Sequence, residues 1–109
     1  MDSRELIRQV PTTLFLGGEQ RDAENGATFT VFDPSTGEAL TEVADASPAD
    51  AMKALDAAVA VQSEWAATPA RARGELLRAV FDRIIERADD FALLMTLEWA
   101  RPYRRARRR

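Results

Sequence analysis

Neither cysteine nor histidine occurs anywhere in the 109 residues. The first absence removes disulfides and thiolate nucleophiles, and the second removes imidazole bases. Together they remove the usual zinc ligand sets. Chemistry performed by these residues alone would fall to carboxylates, hydroxyls, Arg and a single lysine, Lys53. Also missing is any apolar run near the ~18 residues of a membrane span. The opening MDSRELIRQV is charged throughout and holds no apolar segment of signal-peptide length, so the expected location is the cytoplasm, with no membrane partner. No repeat is present, and no low-complexity segment precedes residue 101.

What remains is 46% hydrophobic and 30% charged, a globular composition rather than a disordered one. The length suits one domain and is too short for two. The net charge of −3 hides an asymmetry. Residues 101–109, RPYRRARRR, hold six Arg and no acid, leaving nine basic against eighteen acidic groups, a net of −9, in the first hundred. Two differently composed pieces meet near Glu98.

Gly74 to Glu98 organises the chain. Leu76, Leu77, Val80, Phe81, Ile84, Ile85 and Ala88 recur at three- and four-residue spacing and share one side of a helix, with Arg78, Asp82, Arg83, Glu86 and Arg87 on the other. The six large apolar side chains carry about 9–18 kcal/mol of burial at roughly 1.5–3 each. Whole domains are stable by only about 5–15 kcal/mol. This face must therefore meet a partner surface, within the chain or outside it.

Residues 1–11 form a short helical or irregular lead-in ended by Pro11. Leu14-Phe15-Leu16 is a strand end stopped by Gly17-Gly18. Asn25-Gly26 is the strongest hairpin-turn signal. Thr28 to Phe32 is β-branched and aromatic, as a strand requires, and Asp33-Pro34-Ser35-Thr36-Gly37 closes it with turn chemistry. Leu40 to Ala44 is a third strand. Ser47-Pro48-Ala49-Asp50 starts a helix with a mechanism: Ser47 caps, Pro48 suits the first position, and Asp50 completes a capping box. Met52, Leu55, Ala58, Val59 and Gln62 continue it to about Trp65. Thr68-Pro69 repeats the start signal for the central helix, and a break falls near Ala88-Asp89, after which Phe91, Leu94, Met95 and Leu97 carry the apolar face on.

The runs LFLGGE, TFTVFDPSTGEAL, VADASPADAMKALDAA, WAATPARARGELLR and RADDFALLMTLE, in this order, resemble the N-terminal segment of NAD(P)-dependent aldehyde dehydrogenases. DDFALLMTLE followed by a basic residue and Pro102 is most similar to the succinate-semialdehyde dehydrogenases among them. The resemblance covers about residues 12–98. It implies an α/β fold of several hundred residues, of which this chain is an α+β fragment: an N-terminal hairpin plus a strand, then three helices. Residues 12–98 would be an incomplete cofactor domain, and 99–109 a divergent Arg-rich tail. Two departures stand out. Gln20 replaces the family's Trp, and after Glu98 the family's x-G-K-P-L-x-E-A becomes WARPYRRA, with Ala100 for Gly and Arg105 for the acid. A truncated or frame-disrupted remnant is the expectation.

In the family, the resemblance implies, a cysteine thiolate attacks the aldehyde and hydride passes to NAD or NADP. A glutamate-activated water then releases the acid, while an amide side chain and a backbone N–H hold the oxyanion. None of these groups can be carried over: the cysteine is absent, and glycines 17, 18, 26, 37 and 74 make no G-x-G-x-x-G. No catalytic, cofactor-binding or metal residue is assigned, and no cofactor is expected to bind these residues alone.

The other candidates have plainer readings. Gly17-Gly18 is a strand-ending turn before it is a phosphate cradle. Asp89-Asp90 is read as dipole-favoured capping before a carboxylate pair, and Trp65 as a core or inter-helix anchor before a stacking platform. In some family members the acid matching Glu98 and a carbonyl near Phe32 bind a monovalent cation, but a hard cation needs several fixed oxygens and the sequence diverges after Glu98. The Arg tail with Tyr103 could contact nucleic acid with a log–log salt slope of about −5. The acidic remainder repels the same polyanion, and a disordered, incidental tail is expected. An exposed helix face docking on a like or related subunit is the remaining partner.

Overall fold

The computed structural model describes residues 2–100. The Arg-rich tail from residue 101, and with it Tyr103, lies outside them.

The lead-in is a helix, α1 (Ser3–Gln9), started by Asp2, whose carboxylate accepts from the Arg4 N–H at 3.2 Å. Two antiparallel hairpins follow. Strands β1 (Leu14–Leu16) and β2 (Glu19–Arg21) pair Leu16 with Glu19 across Gly17-Gly18. Strands β3 (Thr28–Phe32) and β4 (Ala39–Ala44) pair Val31 with Thr41 and Thr28 with Ala44. Three helices complete the chain: α2 (Pro48–Ala67), α3 (Ala70–Glu86) and α4 (Ala88–Trp99).

The first hairpin turn lies at Gly17-Gly18, not at Asn25-Gly26. A two-residue hairpin loop favours positive φ at both central positions, and Gly17 (+59°) and Gly18 (+80°) supply both. Of the pair Asn25-Gly26 only Gly26 (+69°) has positive φ. That pair instead turns the link between the hairpins, the Gly26 N–H donating to the Ala23 carbonyl at 2.8 Å. Gly17-Gly18 thus ends β1 as expected and turns it directly into β2.

The capping box of α2 is complete. The Ser47 hydroxyl accepts from the Asp50 N–H at 3.1 Å, and the Asp50 carboxylate accepts from the Ser47 N–H at 2.9 Å. Thr68 does not open α3. Its N–H and hydroxyl both donate back to the Glu64 carbonyl, closing α2, and α3 begins after Pro69 with no side-chain cap. The hydroxyl donates to the Glu64 carbonyl, and Pro69 rather than Thr68 takes the cap position of α3. The helix break falls at Arg87, beside the predicted Ala88. Helix α4 runs through Trp99 and ends on Ala100, the one non-glycine at positive φ (+52°) among the described residues.

Little of this is buried. Leu6, Leu16, Ala23 and Ala92 make up the apolar core, with α1 packed against α4 and β1 against α2. A compact chain of this length has a radius of gyration of about 13 Å; here it is 17.0 Å, within a plate of 47 × 37 × 19 Å. Trp65, expected as a core or inter-helix anchor, is 44% exposed. The groove between the first hairpin and α2 is lined on the helix by Ala54, Ala57, Ala58 and Val61, one turn short of Trp65. Half a turn round α2, Met52, Leu55 and Val59 are also exposed. So are all six large side chains of the α3 stripe. Among the described residues nothing covers it.

Candidate functional site

Each residue singled out in the sequence has a definite place. Gly17-Gly18 sits at the mouth of a groove of about 510 Å³ whose other lining residues are Phe15, Leu16, Ala54, Ala57, Ala58 and Val61. A phosphate is held by converging N–H donors and positive charge; this lining is apolar and has no basic side chain. A Cβ on Gly17 would stand 3.8 Å from that of Ala57, an ordinary contact, so backbone conformation rather than crowding calls for glycine there.

Asp89 and Asp90 lie in the first turn of α4, where negative charge complements the helix dipole. Asp90 accepts from the Arg87 Nε at 3.1 Å. Among the described residues no group of three or more acidic, His or Cys side chains is placed to hold a metal ion. Glu98 projects from the exposed end of α4. The nearby cleft, about 370 Å³ between α1, the β3–β4 turn and α4, is lined by Leu97 and not Glu98, together with Arg4, Arg8, Asp33 and Glu38.

Two carboxylates were undervalued in the sequence. Asp33 accepts from the Ser35 hydroxyl at 2.7 Å and its N–H at 2.8 Å, and its carbonyl accepts from the Gly37 N–H at 2.7 Å. The Ser35 hydroxyl, followed by its N–H, holds the Asp33 carboxyl below the usual carboxylate range. Asp50, only 3% exposed, accepts from the Glu24 N–H at 3.1 Å in addition to the Ser47 N–H. Those two backbone donors, Ser47 foremost, hold its carboxyl low as well. The Ser47 hydroxyl in turn donates to Glu24 at 3.1 Å. One side chain thus starts α2 and pins the link between the hairpins to it. Capping chemistry announced the first role; the contact with Glu24, 26 residues earlier in the chain, has no local signal.

This geometry bears on reactivity. A general acid or base works best with a pKa near the working pH, and Asp33 and Asp50 are both shifted away from neutrality. Each serves as a fixed acceptor of backbone donors. The Ser35 and Ser47 hydroxyls are spent on carboxylates within the same turns. Among the described residues no buried side-chain nitrogen or oxygen lacks a partner.

A family model described as the aldehyde dehydrogenase family matches residues 21–109, a stretch that includes the Arg-rich end. Solved structures agree. A betaine aldehyde dehydrogenase from Staphylococcus aureus, in complex with NAD+, is 28% identical with a TM-score of 0.91 over 96% of this chain. A succinate-semialdehyde dehydrogenase from Burkholderia pseudomallei is 40% identical with a TM-score of 0.82 over 84%. An aldehyde dehydrogenase from Brucella melitensis biovar abortus is 38% identical with a TM-score of 0.85 over 88%. This chain spans about a fifth of the length of each: 21%, 19% and 20%.

Proposed function

This chain belongs to the aldehyde dehydrogenase family, and from that premise we propose that its 109 residues are the scaffold-forming N-terminal part of an enzyme that oxidises an aldehyde to the carboxylic acid with NAD or NADP. Succinate semialdehyde is the proposed substrate of the complete enzyme, and the cytoplasm its proposed location. The subfamily reading is supported by the run from Asp89 to Glu98 and by the 40% identity to the Burkholderia pseudomallei protein.

One observation carries the division of labour: the hairpins and helices match the family closely, while the 109 residues contain no cysteine and no glycine-rich turn suited to a dinucleotide pyrophosphate. The residues present do not fit the cofactor, and no step of the reaction runs through them. Their contribution is to order the first hairpins and helices and to present the stripe of α3.

The test is direct. Purified chain, incubated with succinate semialdehyde and either NAD or NADP, is expected to produce no reduced nicotinamide above the enzyme-free rate. It is also expected to show no saturable binding of either dinucleotide by calorimetry. Turnover by this chain alone would overthrow the reading. Reading the downstream DNA in all three frames tests the parent: a dehydrogenase-like sequence with a cysteine and a glycine-rich loop is expected there.

A further inference from the structure

Asn25 is the only asparagine in the chain, and Gly26 follows it. Both are exposed, in the link between the two hairpins. A Cβ added to Gly26 would meet nothing within 4 Å, so no neighbouring atom shields that side of its backbone. We propose that Asn25-Gly26 is a deamidation site of the 109-residue chain, restrained while Asp50 holds Glu24 and released when that junction opens.

The step needs only base and water. Base takes the proton of the Gly26 amide, and the nitrogen attacks Cγ of Asn25. The N–Cγ bond forms and the Cγ–Nδ2 bond breaks. The proton lost by Gly26 is returned to the departing nitrogen, which leaves as ammonia; nothing is oxidised or reduced. Water then opens the five-membered imide at either carbonyl. Attack at Cγ leaves aspartate at position 25. Attack at the main-chain carbonyl leaves isoaspartate, with an extra methylene in the backbone.

Two contacts act in opposite senses on this step. The Ala27 N–H donates to Oδ1 of Asn25 at 3.0 Å, and the Ala27 carbonyl is itself tied down by the Asp45 N–H at 2.8 Å. Negative charge develops on Oδ1 as Cγ is attacked, so a donor already fixed there favours the reaction. The Gly26 N–H, by contrast, donates to the Ala23 carbonyl at 2.8 Å. That bond must break before base can take the proton. Ala23 is 4% exposed, and its neighbour Glu24 is held twice. The Glu24 N–H donates to Asp50, and the Glu24 carboxylate accepts from the Ser47 hydroxyl. The start of α2 thus steadies the carbonyl that restrains the nucleophile, and local opening of this junction is the gate.

The product weakens its own restraint. A carboxylate at position 25 takes the net charge from −3 to −4, within a run that already holds Asp22 and Glu24. Isoaspartate also lengthens the link that Asp50 ties to α2, so the modified chain is expected to melt at a lower temperature.

The proposal rests on this turn and not on the parent reaction, so either can fail without the other. The test is peptide mapping by mass spectrometry of the full chain held at mildly alkaline pH. A one-dalton gain is expected in the peptide that holds Asn25, as a mixture of aspartate and isoaspartate. In the urea-unfolded chain it is expected to form faster by a factor of about ten or more. Ser47→Ala, shown to be folded by circular dichroism, is expected to speed it about fivefold, the rise in open population that loss of one cap produces. Hydrogen exchange reads the same gate in the unaltered chain: the Gly26 amide is expected to be protected. Four outcomes would overturn the proposal: no gain at Asn25 in the folded chain while the unfolded chain reacts, equal rates folded and unfolded, a folded Ser47→Ala chain no faster than the original, or a Gly26 amide exchanging as in a free peptide.

Discussion

Leu6 and Leu77 are the same residue on two helices, yet one is 3% exposed and the other 65%. Helix α1 has seven residues, too few to persist without packing. It survives because Leu6 lies against α4, beside Phe91 and Leu94. Helix α3 has seventeen residues and supports itself with Arg71–Glu75, Arg78–Asp82 and Arg83–Glu86 along its charged side. Such exposed pairs are worth about 0.3–0.5 kcal/mol each. The short helix exists because of its contacts, and the long one exists ahead of them. An apolar stripe therefore reports what a helix is prepared to meet, and only the rest of the fold reports whether the meeting occurs.

The sharpest way to break this contrast is to make the same substitution on both helices. Leu6→Ala is expected to cost about 2–4 kcal/mol, and Leu77→Ala less than about 0.5 kcal/mol. Urea melts at concentrations low enough to keep the chain monomeric would measure both. Equal costs would mean that α3 is covered within the monomer.

Next in size is the junction around Asp50. Ser47→Ala removes the side-chain acceptor for the Asp50 N–H and is expected to cost about 1 kcal/mol, with a lower melting temperature. The same junction predicts acid sensitivity. Asp50 and Asp33 gain donors on folding that hold their carboxyls below the ordinary Asp value. The folded chain thus binds fewer protons than the unfolded one. Their stabilising contribution is complete above the ordinary Asp pKa of about 3.9 and is lost as pH falls through the lowered folded values. In Asp50→Asn the acid-induced fall in melting temperature should shrink; an unchanged pH profile would count against the junction.

A similar magnitude of opposite sign is expected at the end of α4. Ala100 adopts the left-handed conformation that glycine takes at no steric cost. Ala100→Gly should therefore stabilise by about 1 kcal/mol, read as a higher melting temperature. The smallest effect belongs to Thr68→Val. This change leaves the N–H bonds of Thr68 in place and loses only the hydroxyl bond to Glu64, so a shift within about 0.5 kcal/mol is expected. A larger loss would restore Thr68 as the cap of α3.

What could be read from the sequence was whatever depends on near neighbours. The capping box at Ser47 and Asp50, the stripe from Leu76 to Ile85 and the break beside Ala88 involve residues a few positions apart, and they were legible. Where two local signals competed, sequence reasoning chose badly: Asn25-Gly26 outranked Gly17-Gly18, although only the second pair has positive φ twice. Thr68 could close one helix or open the next, and composition does not say which. Longer-range matters were not legible at all. The bond from the Glu24 N–H to Asp50 has no local pattern, and neither does the exposure of Trp65.

Helix α2 has one further consequence. Its Ala54, Ala57, Ala58 and Val61 flank lines the groove beside the first hairpin, with Ala57 alone half-buried, while Met52, Leu55 and Val59 look the opposite way into open space. A rod oily on two opposing flanks has the makings of a middle plank, sandwiched by neighbours above and below, and it makes a poor outer wall. Anyone wishing to keep these residues as a free-standing miniature would have to repaint that second flank with lysines and glutamates, leaving the alanine side untouched.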